Sequence, residues 1–194
     1  SNESFFARPI MMLRTGCGTL GFLLLFLLFL LPLLVPIFFP AKFAWTGIIN
    51  RWWAKGTFLF SFLAYRVECR SPLDRKRQYI FCPNHFSYLD IPTMGLNPVH
   101  AVFVGKNDME NVPLFGFMYR KLHITVDRAR LKSKYDMFVK TRQAIDEGKS
   151  LVIYPEGGIF TQDPPRMVRF KDGAFRLAIE KQIPIVPVTI PNNW

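Results

Sequence analysis

Between Thr15 and Pro40 the chain carries no charged side chain, and from Phe22 to Leu31 it consists only of Phe and Leu. A helix of that length reaches across a hydrocarbon core of roughly 30 Å. A cleavable signal peptide is the ordinary competitor, but its apolar core spans about 7–15 residues and ends at a small-residue site. This stretch is longer and no A-x-A site follows it, so it reads as a retained membrane segment.

Pro32, Pro36 and Pro40 interrupt the run, which predicts a straight helix ending near Leu31. A second apolar stretch, Phe43 to Tyr65, follows. Arg51 and Lys55 share one face of it at a spacing of four, and Trp45, Trp52 and Trp53 suit the headgroup layer. Basic residues flank the apolar run on both sides: Arg8 and Arg14 before it, Lys42, Arg51 and Lys55 after it. The excess of positive charge therefore selects no single crossing. A two-segment anchor over residues 1–66, bent near Pro32–Pro40 and returning to the cytoplasmic face, satisfies both flanks. A single span is the other reading.

The net charge of +11 on 194 residues fits either nucleic acid or an anionic membrane surface as a partner. The apolar segment selects the membrane and sets nucleic acid aside. Lys and Arg crowd between Arg120 and Arg142, where only Asp127 and Asp136 oppose them; a solvated, lipid-facing surface accounts for most of these side chains. Cys17, Cys69 and Cys82 show neither paired nor metal-like spacing, as expected of a reduced cytosolic setting. The sequence holds no clustered His/Cys metal site, no P-loop and no G-x-G-x-x-G, and it points to no bound cofactor or metal.

After the anchor, apolar strand-like runs alternate with helical patterns. The strands are Tyr79–Pro83, Ala101–Gly105, Ile124–Val126, Leu151–Tyr154 and Ile185–Ile190; the helices are Ile91–Leu96, Pro113–Tyr119, Lys132–Glu147 and Gly173–Gln182. The third helix is the best marked, with Ser133 as cap, Met137, Phe138, Thr141 and Ile145 on one face, and Gly148 as stop. Such alternation predicts an α/β domain over 67–194 with a mixed, largely parallel sheet flanked by helices. The sequence ends on a strand with no closing helix, so this domain is expected either to be truncated or to end unusually.

His85 and Asp90 stand five positions apart just past the first of these strands. On one continuous helix their side chains would diverge, because i,i+3 and i,i+4 pairs are the ones that meet. They meet only if His85 lies in the loop and Asp90 in the first turn of the next helix. A carboxylate behind an imidazole fixes its tautomer and makes a general base. Two plainer readings stand beside this one. His85 is structural, or Ser87 and Asp90 form the S-x-x-D box of a helix cap. Pro92 opposes a helix capped by Ser87 and fits one starting nearer Asp90.

Four blocks together resemble the glycerolipid acyltransferase family from Tyr79 to Pro191. Asn84-His85-Phe86-Ser87-Tyr88-Leu89-Asp90 is similar to its H-x4-D block; Lys106, Pro113 and Gly116 match the next stretch, and Thr125-Val126-Asp127-Arg128 the second motif. Tyr154-Pro155-Glu156-Gly157, with Phe170-Lys171-Asp172-Gly173-Ala174-Phe175 after it, resembles the third, and Ile185-Val186-Pro187-Val188 the fourth. A hydrophobic N-terminal anchor is also usual in that family.

The resemblance implies a membrane O-acyltransferase whose active site faces the cytoplasm. It implies transfer of a fatty acyl group from acyl-CoA or acyl carrier protein to a lysophospholipid, with lysophosphatidate as the first acceptor. His85 would be the base and Asp90 its orienting partner. Ser87 assists the base or shapes the turn, and the turn is the reading preferred here. Arg128 would bind the acceptor phosphate, its alternatives being an ion pair with Asp127 or a headgroup contact. Lys106 is a second phosphate candidate. Glu156, beside Gly157, either binds the acceptor or holds the loop by accepting backbone N–H bonds. Where the family's third motif usually reads Glu-Gly-Thr-Arg, this chain has Glu156-Gly157-Gly158-Ile159. Arg166 or Arg169 then supplies the charge, or the acceptor is a lyso-aminolipid. Glycerol 3-phosphate is a further acceptor within the class. From a different class, the competitor is a non-catalytic anionic-lipid-binding protein, which needs no His85–Asp90 pair. A hydrolase lacks its Gly-x-Ser-x-Gly elbow here.

Overall fold

The computed structural model describes residues 2–106, 113–127 and 131–193. They form two compact units, one running through Ser71 and including Gly95–Asn97, the other taking up Pro72–Met94 and the chain from Pro98 onward.

The first unit is a helical hairpin. Helix α1 spans Asn2–Phe38, a 3-10 turn covers Pro40–Lys42, and α2 spans Ala44–Phe60. Helix α1 runs past the predicted stop at Leu31, with Pro32 and Pro36 inside it. Leu33 and Pro36 are buried within the unit, and this packing holds the last turns despite the lost ladder bonds. The chain reverses at Phe39–Phe43, where Lys42 N–H donates to Phe39 O at 2.8 Å and Phe43 N–H to Pro40 O at 3.0 Å. Small residues bring the helices close: Gly56 faces Leu25, Gly21 faces Phe60 and Gly18 faces Ser61. A Cβ on Gly56 would stand 2.6 Å from Leu25 Cδ1. Trp53, expected in the headgroup layer, instead packs edge-on against Phe22 at 5.1 Å. Trp45 and Trp52 do face outward, each beneath a lysine ammonium, Lys42 and Lys55. Arg51 is tied to the Asn97 carbonyl at 2.9 Å. The segment Pro9–Phe38 is long and apolar enough to cross a membrane.

The second unit is a sheet with helices between successive strands. Strands β1 (Ile80–Pro83), β2 (Ala101–Lys106), β3 (Ile124–Val126), β4 (Ser150–Ile153) and β5 (Ile185–Val188) lie in the order β3-β2-β4-β1-β5. Among the described residues all the pairings are parallel, so the sheet there is wholly rather than largely parallel. Helices α3 (Asp90–Gly95), α4 (Phe115–Leu122), α5 (Leu131–Asp146) and α6 (Gly173–Lys181) supply the returns that parallel strands require. Strands β1 and β4 pair Phe81 with Val152, and both are buried, as continuous apolar runs in a parallel sheet should be. Tyr79, Phe103, Met94 and Val99 complete that core.

Ser133 does not cap α5. The helix starts earlier, and the Ser133 hydroxyl accepts the Asp127 N–H at 2.8 Å. Gly148 does end it, at φ +85°, with Lys149 N–H bonded to Ala144 O and Gly148 N–H to Ile145 O, both at 2.9 Å. These are the paired bonds of a left-handed C-cap, which glycine adopts without strain.

The strand order positions the site. Because β4 lies between β2 and β1, the loops leaving the carboxyl ends of β1 and β4 are neighbours, and β2 delivers Lys106 to the same edge.

Candidate active site

Strand β1 ends at Pro83, and the next residues turn over the sheet edge. Asn84 is buried and bonds both ways with the Ile190 backbone, donating to its carbonyl at 2.9 Å and accepting its N–H at 2.7 Å. The β1–β5 pairing is thereby extended past the last strand residues, and His85 leaves from a fixed point.

Asp90 opens α3, as the position of Pro92 requires. Its side chain is fully buried, and donors converge on it. Oδ2 accepts His85 Nδ1 at 2.9 Å, Phe86 N–H at 2.7 Å and Ser87 N–H at 3.0 Å. Oδ1 accepts the Asn193 amide at 2.9 Å. Ser87 Oγ takes the Leu89 N–H at 3.1 Å, and the Ser87 carbonyl takes the Asp90 N–H at 3.2 Å. Cap and imidazole partner are therefore the same carboxylate. The hydroxyl of Ser87 is engaged in the turn.

His85 is held from three directions. Asp90 takes Nδ1, Tyr154 stacks on the ring at 4.0 Å between centroids, and Glu156 Oε1 accepts the His85 backbone N–H at 2.8 Å. With Nδ1–H donated to a carboxylate, Nε2 is the nitrogen left to receive a proton. The Tyr154 hydroxyl is buried and has no hydrogen-bond partner among the described residues. Burial, reinforced by the charge of Asp90, pushes it well above the usual tyrosine range, so it stays neutral.

Glu156 is 1% exposed, and its second oxygen accepts the Val168 N–H at 3.1 Å. Of the roles open to it in the sequence, the geometry is that of the backbone clasp. Gly157 needs its φ of +81°, and a Cβ there would run into the Lys171 ammonium and lie 2.9 Å from Lys171 Cε. Lys171 N–H donates to Pro155 O at 2.8 Å, closing the loop a second time.

The remaining candidates are less central. Lys106 ends β2 at the site's edge of the sheet, and Arg169 is exposed in the loop after Gly157. Arg128 lies outside the described residues. In the basic cluster, Arg142 grips Glu180 through two contacts of 2.6 Å. Tyr154 and Asn193 join the pair without a local sequence signal that marks them as its partners. Asn193 is distant in the chain and carries no spacing signal; Tyr154 was visible as the end of an apolar run beside Glu156.

The sequence profile of the Acyltransferase family matches residues 64–191. A 1-acyl-sn-glycerol-3-phosphate acyltransferase of Haemophilus influenzae is 32% identical over 148 residues, 73% of this chain and 59% of that protein. The enzyme of that name from Saccharomyces cerevisiae is 34% identical over 121 residues, 61% of this chain and 40% of its own. The lyso-ornithine lipid O-acyltransferase of Rhizobium meliloti is 29% identical over 117 residues, 60% of this chain and 39% of its own. The chain thus spans about half the length of the curated relatives it matches. The crystal structure of the 1-acyl-sn-glycerophosphate (LPA) acyltransferase from Thermotoga maritima has the same fold, with a TM-score of 0.60, 21% identity, and coverage of 91% of this chain and 80% of that one. With the family profile matched from the end of the helical hairpin to just past the last strand, the chain belongs to the Acyltransferase family.

Proposed function

We propose that this chain is a membrane-bound O-acyltransferase that moves a fatty acyl group from a thioester donor to the free hydroxyl of a lysophospholipid. The carrying observation is the His85 Nδ1–Asp90 Oδ2 bond of 2.9 Å at the carboxyl edge of the sheet. His85 Nε2 takes the proton of the acceptor hydroxyl as its oxygen attacks the thioester carbonyl. The tetrahedral intermediate expels the thiolate, which recovers that proton from the imidazolium. Asp90 keeps the tautomer and balances the transient positive charge. No protein nucleophile is needed, since both substrates meet at one site. Glu156 and Gly157 shape the loops, and Ser87 shapes the turn.

The acceptor is 1-acylglycerol 3-phosphate, read through Arg128 with Lys106 or Arg169 as helper, because guanidinium and phosphate pair in a bidentate manner. A second acceptor, a lyso-aminolipid, is favoured by Gly158-Ile159 in place of the usual Thr-Arg and by the likeness to the Rhizobium enzyme. The donor is acyl-CoA or acyl carrier protein. The apolar segment Pro9–Phe38 supports a membrane location. The basic flanks on both sides of that segment favour a site on the cytoplasmic side.

The test is acyl transfer to labelled lysolipids with and without phosphate, using both donors. His85→Ala should abolish transfer at unchanged unfolding midpoint; full turnover in that variant would end the base assignment. Arg128→Ala should weaken lysophosphatidate by about 10- to 150-fold, as loss of one charge-assisted pair worth roughly 1.5–3 kcal/mol implies, and spare a phosphate-free acceptor. Equal loss with both acceptors would refute the phosphate role.

A further inference from the structure

The segment from Gly157 to Asp172 is the longest connection at the carboxyl edge of the sheet, and it is a built structure. Its base is tied to the site by Glu156, whose two oxygens hold His85 N–H and Val168 N–H, and by the Lys171 N–H bond to Pro155 O. Its far end is closed by the Thr161 hydroxyl on Arg166 O at 2.6 Å and by Arg166 N–H on Asp163 O at 2.9 Å. A loop stapled at both ends has the means to turn its large apolar side chains inward. It does the opposite: Phe160 is 55% exposed, Met167 53% and Phe170 43%.

These side chains are interleaved with Arg166, Arg169 and Lys171, also exposed. The Lys171 ammonium stands 5.6 Å over the Phe160 ring. Of the two acids in the loop, Asp172 is taken by Arg176 at 2.6 Å, and Asp163 alone stands against Arg166, Arg169 and Lys171, so the protruding part of the loop is cationic. Apolar tips with cations beside them match the acyl boundary and phosphate layer of an anionic bilayer. The chain also carries an apolar helix long enough to cross such a bilayer.

We infer that the Gly157–Asp172 loop is a membrane-docking lip. Phe160, Met167 and Phe170 dip into an anionic lipid surface, and Glu156 passes the position of the docked lip to His85. A lysolipid can then reach the base from the bilayer without crossing water. This inference rests on the acyltransferase reading for its substrate, and its test is arranged so that the two fail separately.

The full chain is reconstituted into phosphatidylcholine vesicles with and without phosphatidylglycerol. A fluorescent label is placed at Met167→Cys in a Cys17→Ser, Cys69→Ser background, Cys82 being buried. Ile179→Cys is the control, since α6 carries that exposed residue back toward the amino edge of the sheet. Brominated acyl chains should quench the label at 167, more strongly with phosphatidylglycerol present, while aqueous iodide should quench the label at 179. Iodide quenching at 167 equal to that at 179 overturns the inference. So does quenching at 167 by neither agent, the result expected of a lip covered by protein. In parallel, Phe160→Ser with Met167→Ser should raise the KM for an acceptor embedded in vesicles by about tenfold or more, given the apolar area lost from the contact. The same variant should leave turnover of a short-chain, monomeric acceptor unchanged. An unchanged KM on vesicles also overturns the docking role. Absence of transfer to either form of acceptor by the parent protein defeats the enzymatic reading alone, and the quenching still decides whether the lip docks.

Discussion

Replacing Asp90 by asparagine should separate the chemistry of this site from its folding. Asp90 Oδ2 faces only donors: the His85 ring, Phe86 N–H and Ser87 N–H. The amide oxygen of an asparagine can stand in that position and keep all of them, including the His85 tautomer. Its nitrogen then occupies the Oδ1 position, opposite the Asn193 side-chain nitrogen. Turning the Asn193 amide over presents its oxygen instead, at the expense of the 3.1 Å bond its nitrogen donates to Thr93 Oγ1. The stability cost should therefore stay within about 1 kcal/mol, one neutral hydrogen bond. What disappears is the negative charge behind the imidazolium. Two unit charges about 4 Å apart at an effective dielectric of about 20 interact by roughly 4 kcal/mol. At 1.36 kcal/mol per tenfold in rate, that is close to a thousandfold. The expected result is kcat/KM for acyl transfer reduced by about 10²–10³ with an unfolding midpoint near the parent's. Asp90→Ala should behave differently, since it orphans the Phe86 and Ser87 N–H groups at about 1–3 kcal/mol each. If the asparagine variant transfers acyl groups within about threefold of the parent, a difference of under 1 kcal/mol, Asp90 works only as a helix cap and the general-base reasoning fails.

Two further outcomes follow from the same geometry. Glu156→Gln places an amide nitrogen against a backbone N–H, so it should lower stability by about 1–3 kcal/mol with little change in acceptor KM; a raised KM at unchanged unfolding midpoint would restore Glu156 as an acceptor-binding residue. Burial, with His100 adding to it, lowers the His123 pKa from 6.5 to about 3, while its Nδ1 accepts the Phe103 N–H. The unfolded chain therefore binds the proton first, and stability from this residue, full above pH 6.5, is lost as pH falls toward 3. Unfolding midpoints measured between those values should decline less steeply in His123→Asn than in the parent, and parallel slopes would refute the assignment.

Much of this arrangement is legible in the sequence because it is local. The spacing of His85 and Asp90, with Pro92 close behind, requires a loop-to-helix turn, and α3 begins at Asp90. The five strands were visible as short apolar runs, with ends displaced by a residue or two. What the sequence does not display is pairing order. Nothing local says that β4 inserts between β2 and β1, yet that insertion sets Glu156 against the His85 N–H. Asn193 is likewise reached only through the closing turn after β5. Helix α1 outruns the stop its prolines predict because proline rules describe an isolated helix, and here Leu33 and Pro36 are packed within the hairpin unit. Ser133 satisfied the cap pattern, but its hydroxyl was claimed by the Asp127 N–H.

The two buried carboxylates divide the labour in a way that links fold to function. Asp90 gathers the turn that carries His85 and holds its ring, whereas Glu156 fixes the backbone from which that ring departs. Each accepts two backbone N–H groups, which neither an aspartate-to-alanine nor a glutamate-to-alanine change can replace. The His85 ring owes its position to strands β1 and β4 together, and the 2.8 Å bond between His85 N–H and Glu156 Oε1 is the crossbar. The other oxygen of the same glutamate holds the loop that presents Phe160, Met167 and Phe170 to the outside. A displacement of that loop therefore reaches the imidazole through one side chain and two hydrogen bonds. The separation is short enough for docking at a lipid surface to change kcat as well as KM. A Glu156→Gln protein that retains its fold should accordingly lose rate selectively on vesicle-embedded acceptor, because the loop still meets the membrane but no longer sets the base. Equal loss on monomeric and embedded acceptors would show that the clasp serves His85 alone.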